Sequence, residues 1–170
     1  MRRNSQTITA TTVAASAILA FAMMAAPSLV FADSPHFIAA SSSLSGPNLV
    51  CNFKEAGLGN LGFASIREVC SAAAVAIYEC VNNGGNHPQA TNKETVSGPV
   101  SGGGFFPISN GQTTGSIAVA PPGPGSFSCP GGQSLLLFSV SYTNVMVCDQ
   151  LGNCVPLRDQ TFVNPSAPVP

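Results

Sequence analysis

The chain has 170 residues, of which only 8% are charged, and it contains six cysteines and no tryptophan. After residue 32, four basic residues stand against seven acidic ones, and this net charge of −3 provides no basic surface for the phosphates of nucleic acids. No apolar run in that part is long enough to span a bilayer as a helix, so no membrane span is expected there.

Residues 1–32 predict a secretory signal peptide. Arg2 and Arg3 precede an apolar stretch from Val13 to Ala26, and residues 30–32 (VFA) supply the small residues of a cleavage site. Pro27 interrupts the apolar stretch, which argues against an uncleaved membrane anchor. We expect cleavage after Ala32 and a secreted, extracellular protein of about 138 residues, enough for one domain with a hydrophobic core.

The remaining chain predicts one β domain between two irregular ends. Residues 33–47 are small and polar and predict a flexible, extended lead-in, whereas residues 48–163 predict the domain and residues 164–170 a loose tail. Its first strand is NLVCNFKE. Residues 65–80 (SIREVCSAAAVAIYEC) contain alanines that suit a helix, but their β-branched and aromatic residues and the flanking glycine turns favour a strand with two largely apolar faces.

The second half of the domain carries the clearest turn signal. In GFFPIS-NG-QTTGSIAVA, Asn110-Gly111 predicts a tight hairpin turn, and Pro107 indicates an edge strand. SLLLFSVSYTNVMV predicts a long strand with Leu136, Phe138, Val140, Tyr142 and Met146 on one face, and NCVPLRDQTFV predicts the last strand. About seven strands joined by short turns predict an all-β fold, an antiparallel β-sandwich that is immunoglobulin-like or related.

All six cysteines follow the signal peptide, and an even number in an oxidising compartment predicts three disulfides. Cys148 and Cys154 flank the turn DQLGN symmetrically, and Cys51 and Cys70 flank the glycine-rich turn AGLGNLG, so each pair is expected to bond across a hairpin. Elimination pairs Cys80 with Cys129. The spacing lacks a Cys-x-x-Cys pair, which disfavours zinc binding and redox chemistry.

Three stretches, SGPNLVCNFKEAGLGN, YECVNNGGNHPQ and SVSYTNVMVCDQLGNCVPL, resemble a group of small secreted bacterial proteins of unknown function. The resemblance covers residues 45–162. It implies a bacterial source and a secreted β fold, and it carries no catalytic residues. It also suggests that the cysteines at 51, 70, 148 and 154 are additions to a pattern with one disulfide.

The residues that catalysis requires are sparse. No Gly-x-Ser-x-Gly motif is present, and His36 and His87 both fall in predicted loops, where a triad base would not be held in place. Glu68 can face Glu55 across the first hairpin, but we interpret the two as ordinary surface charge. Asp149 and Asn153 lack the spacing of a calcium loop. We expect no catalytic residues, no metal site and no cofactor.

A polar loop, Asn82–Glu94, is the favoured contact surface of the domain. Its candidate binding residues carry hydrogen-bond donors and acceptors: Asn82, Asn83, Asn86, His87, Gln89 and Asn92. These features favour a non-enzymatic binding or surface-interaction module for an extracellular or cell-surface ligand. Two alternatives stay open, namely a small extracellular hydrolase that uses His87 with Glu79 or Glu94, and a structural component of a cell envelope or spore coat.

Overall fold

The computed structural model describes residues 34–59, 61–82 and 92–165. In this part of the chain the protein is all-β, with antiparallel strands in two sheets that pack against each other. The predicted signal peptide and its cleavage site lie outside the described residues, as do residues 166–170 of the predicted tail. Within the described ranges, no helix is long and apolar enough to cross a membrane.

Eight strands form the two sheets. In chain order they are β1 (His36–Ser45), β2 (Asn48–Ala56), β3 (Ser65–Asn82), β4 (Lys93–Pro107), β5 (Gln112–Val119), β6 (Gln133–Asp149), β7 (Cys154–Pro156) and β8 (Gln160–Val163). The small sheet has the order β1-β2-β5, and the large sheet has the order β4-β3-β6-β7, with β8 also paired to β6.

The expected lead-in is wrong, because most of residues 33–47 form β1. This strand pairs with β2 from His36 to Ser45 and turns into it through Gly46 and Pro47. Gly46 has a φ of +57°, which a glycine adopts without strain and which closes the two-residue turn. Small polar side chains suit this position because β1 lies at the edge of its sheet, where little burial is required. The sandwich therefore begins at β1 rather than at residue 48.

β3 is the central element, and the strand predicted at residues 65–80 is confirmed. It pairs with β4 on one side and with β6 on the other along nearly its whole length. Its buried positions alternate from Ile66 through Cys70, Ala74 and Tyr78, so one face lines the core. The alanines on this face leave room for the large side chains of the opposite sheet.

The tight turn at Asn110-Gly111 is confirmed, but the paired hairpin predicted around it is wrong. Asn110 and Gly111 have φ values of +50° and +73°, and Ser109 bridges to Gln112 across them. The two long strands then separate, because β4 pairs with β3 in the large sheet and β5 pairs with β2 in the small one. The turn is thus a corner between the sheets. Pro107 does lie in an edge strand, as predicted.

Two irregularities in β6 change which side chains reach the core. The register with β3 shifts opposite Tyr78 and again near Asn144, whose φ is +53°. Because each shift exchanges the two faces of the strand, Leu137 and Val145 pack inward. The prediction that Met146 lies on the same face as Tyr142 is therefore wrong. The predicted last strand is also divided, into β7 and β8.

The core lies between the two sheets and is tied by the predicted disulfides. Leu49, Phe53 and Val119 of the small sheet face Tyr142 and Val147 of the large sheet. The structure contains Cys51–Cys70 between the sheets, Cys80–Cys129 between β3 and the loop before β6, and Cys148–Cys154 between β6 and β7. This confirms all three predicted pairings. The hairpin expected around Cys51 and Cys70 is wrong, because β2 and β3 lie in different sheets and the bond joins the sheets.

Candidate functional site

The predicted binding loop joins β3 to β4 at one end of the large sheet. Asn82 ends β3 and Asn92 directly precedes β4, whereas the candidate residues Asn83, Asn86, His87 and Gln89 lie outside the described residues. The two ends of the loop meet the start of β6. Gln133 pairs with Asn82, and Gln133 Oε1 accepts a hydrogen bond of 3.5 Å from Asn92 Nδ2. The loop therefore begins and ends on the same three adjacent strands, β4, β3 and β6, which form its base.

An ion pair lies directly beneath this loop. Lys93 Nζ is 2.7 Å from Glu79 Oε1, and the Glu79 side chain is only 3% exposed. The ammonium also lies 5.7 Å from the centroid of the Phe138 ring, a favourable position for a cation over an aromatic face. Since the carboxylate is almost out of water, loss of Lys93 would leave a buried charge without its partner, so the ion pair keeps the first residue of β4 next to β3.

A second group of polar side chains lies inside the sandwich, at the opposite end of β3. Glu55 on β2 and Glu68 on β3 are both 0% exposed, and Asp149 at the end of β6 is also buried. Glu68 and Asp149 are cross-strand partners, whereas Glu55 reaches them from the other sheet. The interpretation of Glu55 and Glu68 as surface charge is wrong, because both occupy inward positions of their strands.

Asp149 has hydrogen-bond donors of its own. Its Oδ1 accepts bonds of 2.8 Å from the backbone N–H groups of Leu151 and Asn153, and its Oδ2 accepts a bond of 2.6 Å from Asn153 Nδ2. These bonds close the turn between β6 and β7, next to the Cys148–Cys154 disulfide. Asp149 thus organises the turn between β6 and β7. Among the described residues, no set of three or more His, Cys, Asp or Glu side chains is arranged to hold a metal ion.

The two glutamates have no comparable donors. No N–H or hydroxyl group of the described chain bonds to their carboxyl oxygens, so a hydrogen bond among the three carboxyl groups requires a proton on one of them. Burial raises the pKa of Glu55 to about 9, and hydrogen bonding and charge repulsion from Glu68 and Asp149 act in the same direction. Burial also raises the pKa of Glu68 to about 7. Glu55 is therefore a protonated donor at neutral pH.

This carboxyl cluster (Glu55, Glu68 and Asp149) contains the groups of an acid–base pair, but it lies in the core. General acid–base catalysis needs the proton-transferring group within hydrogen-bond reach of a substrate. With both glutamates fully buried, a substrate does not reach them in this conformation. The cluster is a structural proton site between the sheets.

Of the two histidines, only His36 lies among the described residues, and His87 lies outside them. His36 begins β1, where its Nδ1 lies 2.7 Å from the backbone oxygen of Ser34. Glu79 and Glu94, the predicted partners of His87, lie on the adjacent strands β3 and β4. Glu79 is buried and forms an ion pair with Lys93, whereas Glu94 is exposed.

Comparison with known proteins adds no relative. No family model, curated protein or solved structure matches the chain. The resemblance to small secreted bacterial proteins stays a prediction.

Proposed function

We propose that the protein is a secreted, non-enzymatic binding module that contacts its ligand through the loop Asn82–Glu94. The observation that carries this proposal is the construction of the loop's base. An ion pair (Glu79–Lys93), a disulfide (Cys80–Cys129) and the Asn92–Gln133 hydrogen bond all lie within three residues of the points where the loop begins and ends.

The base supports binding for an energetic reason. A contact surface loses conformational entropy when it is ordered by a ligand, and a scaffold that holds both ends of a loop reduces that loss. The sequence of the loop supplies asparagine and glutamine side chains, each of which offers both donors and acceptors to a polar ligand. Extracellular glycans and polar peptide surfaces are ligands of this chemistry.

The binding test uses the secreted protein and two loop variants. The probes are purified peptidoglycan and an array of immobilised glycans, and the measurement is the retained fraction. In the first variant, residues 83–91 are replaced by a Gly/Ser linker of equal length. In the control, Leu151→Ser changes the exposed turn at the opposite end of β6.

We expect retention to be lost in the linker variant and unchanged in the Leu151→Ser control. Equal retention of wild type and the linker variant, or no retention of the wild type on any probe, would contradict the proposal. A screen against esterase, glycosidase and peptidase substrates tests the hydrolase alternative in parallel: turnover that disappears in His87→Ala would replace the binder by an enzyme.

A further inference from the structure

The outer edge of β1 has unused backbone hydrogen-bonding groups. The carbonyl of Ser42 accepts a 3.2 Å hydrogen bond from Gln160 Nε2, so this carbonyl points away from β2. In an antiparallel strand the N–H and C=O of one residue point to the same side, and the side alternates along the strand. Ala40 and Leu44 therefore also direct their backbone groups outward. No backbone group of the described chain bonds to these outward backbone groups, although the Ser42 hydroxyl donates a hydrogen bond to the backbone oxygen of Arg158.

This edge lacks the features that usually block strand pairing. Residues 37–45 (FIAASSSLS) contain no proline and no charged residue, whereas edges of natural sheets are commonly blocked by prolines, charges or bulges. The edge of the large sheet is different, because β4 contains Pro99 and Pro107 and begins with a charged pair, Lys93-Glu94. β1 has one bulge, near Phe37, outside the stretch Ala40–Leu44.

A groove runs along the open edge. It has a volume of about 630 Å³, which lies in the range of ligand-binding clefts. One wall is the stretch Ala40–Leu44 of β1. The other is formed by the segment between β7 and β8, with Leu157 and Arg158, and by Gln160 at the start of β8. The wall from β1 is lined by small side chains, so the backbone of an incoming chain can approach it closely.

We propose that this groove, the β1 groove, accepts an extended polypeptide segment of another protein as an additional strand next to β1. The stretch Ala40–Leu44 is about 14 Å long at the rise of a β-strand, enough for a partner segment of about five residues. Such a segment needs small or apolar residues at alternate positions, because Leu44 and Leu157 line the groove. It also needs an acidic residue, because Arg158 is exposed at the rim and forms no ion pair within the described residues.

Gln160 occupies the position that the new strand takes. Its amide bonds both to the carbonyl and to the hydroxyl of Ser42, at 3.2 Å and 2.9 Å. A backbone N–H of the incoming segment replaces the amide at the carbonyl, and the amide turns to water. The amide exchanges both bonds to Ser42 for bonds to water, and the Ser42 carbonyl gains the bond from the incoming N–H. The Ser42 hydroxyl keeps its bond to the backbone oxygen of Arg158, so this step has a small net free energy.

A second copy of the chain fits the groove less well. Two β1 strands paired antiparallel around Ser42 bring the Arg158 and Gln160 side chains of both copies to the same place. The like charges repel and the side chains compete for space. An acidic segment from a different protein meets Arg158 with the opposite charge.

The test uses a set of synthetic ten-residue peptides of alternating serine and valine, each with a single aspartate at a different position. Binding to the full secreted protein is followed by NMR. We expect slower exchange with solvent for the amide protons of Ala40, Ser42 and Leu44. The amides of Ser41 and Ser43, which face β2, serve as an internal control and keep their rates.

Two variants test the assignment. Ser42→Pro removes a backbone N–H that points outward and has no partner on β2, so we expect the affinity for the peptides to fall by about tenfold or more. The matched control Ser42→Ala keeps that N–H, and we expect it to bind the peptides within about threefold of the wild type. Arg158→Glu reverses the charge at the rim, and we expect the preference to move from peptides with aspartate to the same peptides with lysine.

Several results would overturn the proposal: no peptide protects the three amides at millimolar concentration, Arg158→Glu leaves the preference unchanged, or a folded Ser42→Pro binds like Ser42→Ala. Sedimentation that shows a dimer which Ser42→Pro abolishes would assign the edge to a second copy instead. The β3–β4 loop is separate from the β1 groove, so we expect its replacement by a linker to leave peptide binding unchanged. Loss of ligand binding by the loop can therefore be distinguished from loss of peptide binding by the β1 groove.

Discussion

Replacing Glu55 with glutamine tests whether the carboxyl cluster holds a proton in the folded protein. Burial raises the pKa of Glu55 from its ordinary value of 4.5 to about 9. Between these two values the folded protein keeps a proton that the unfolded chain has released. The free energy of unfolding therefore decreases as the pH rises, by about 1.4 kcal/mol per pH unit. Below pH 4.5 both states are protonated, and Glu55 makes no contribution to the slope.

The expected change is large enough to measure by urea denaturation. From pH 5 to pH 8, Glu55 alone lowers the free energy of unfolding by roughly 4 kcal/mol. At an m-value of about 2 kcal/mol/M, this moves the urea midpoint down by about 2 M. Glu68, whose pKa is raised to about 7, adds to the decrease up to that pH. Among the residues that the structure describes, the basic side chains next to the cluster point away from it: Lys54 and Arg67 occupy the outward positions beside Glu55 and Glu68. The cross-strand neighbours on β4 and β5 are Gly104 and Thr113, which carry no charge.

Glu55→Gln is neutral at every pH and keeps an N–H donor for the neighbouring carboxyl groups. We expect its stability to be close to that of the wild type at pH 5 and to exceed it at pH 8, with a shallower slope between. Glu94→Gln, which changes an exposed carboxyl on β4, should follow the wild-type curve. A wild-type midpoint that stays constant or increases from pH 5 to pH 8, or an equal slope in Glu55→Gln, would refute the reasoning.

Two further predictions concern the framework of the fold. The Cys80–Cys129 disulfide closes a separation of 49 residues and Cys148–Cys154 one of only 6. By the chain-entropy relation, replacement of each pair by serines should lower the free energy of unfolding by about 4 and about 2 kcal/mol, respectively. Urea titrations of the two variants measure this, and a larger loss for the Cys148–Cys154 variant would contradict it. Gly115→Ala should destabilise by about 1–3 kcal/mol, because its Cβ would overlap the Phe106 ring and lie 2.7 Å from Phe53, whereas Gly98→Ala, with no atom within 4 Å, should change the thermal midpoint little. Equal midpoints for the two glycine variants would show that the ring moves aside freely.

The Cys148–Cys154 pairing was predictable because this bond is local, whereas Cys51 and Cys70 lie on strands of different sheets. Cys148 and Cys154 flank one turn, and a residue-by-residue count around that turn places their sulfur atoms together. The same count could have located the carboxyl cluster. Glu55 lies four residues after Cys51, and Glu68 two residues before Cys70. Side chains alternate along a strand, so each glutamate shares the face of a cysteine that bonds to the other sheet.

The features that were missed depend on contacts between distant parts of the chain. Asn110-Gly111 fixes a turn, but which strands pair beyond it depends on β2 and β3, whose positions the residues of the turn do not specify. One of the two shifts in β6 lies at Asn144, whose left-handed conformation is not required by its residue type. β1 was missed because its serines and alanines have weak strand propensity, and its structure comes from pairing with β2.

The Cys80–Cys129 bond also determines how a protease changes this protein. A single cut anywhere in residues 83–91 divides the domain into two polypeptides, and Cys80 and Cys129 lie on opposite sides of the cut. Cys51–Cys70 lies wholly in the first piece and Cys148–Cys154 wholly in the second. The nicked protein remains one covalent molecule, and β3 keeps its partners β4 and β6 from the other piece. Cleavage in the loop thus changes the loop without releasing half of the sandwich.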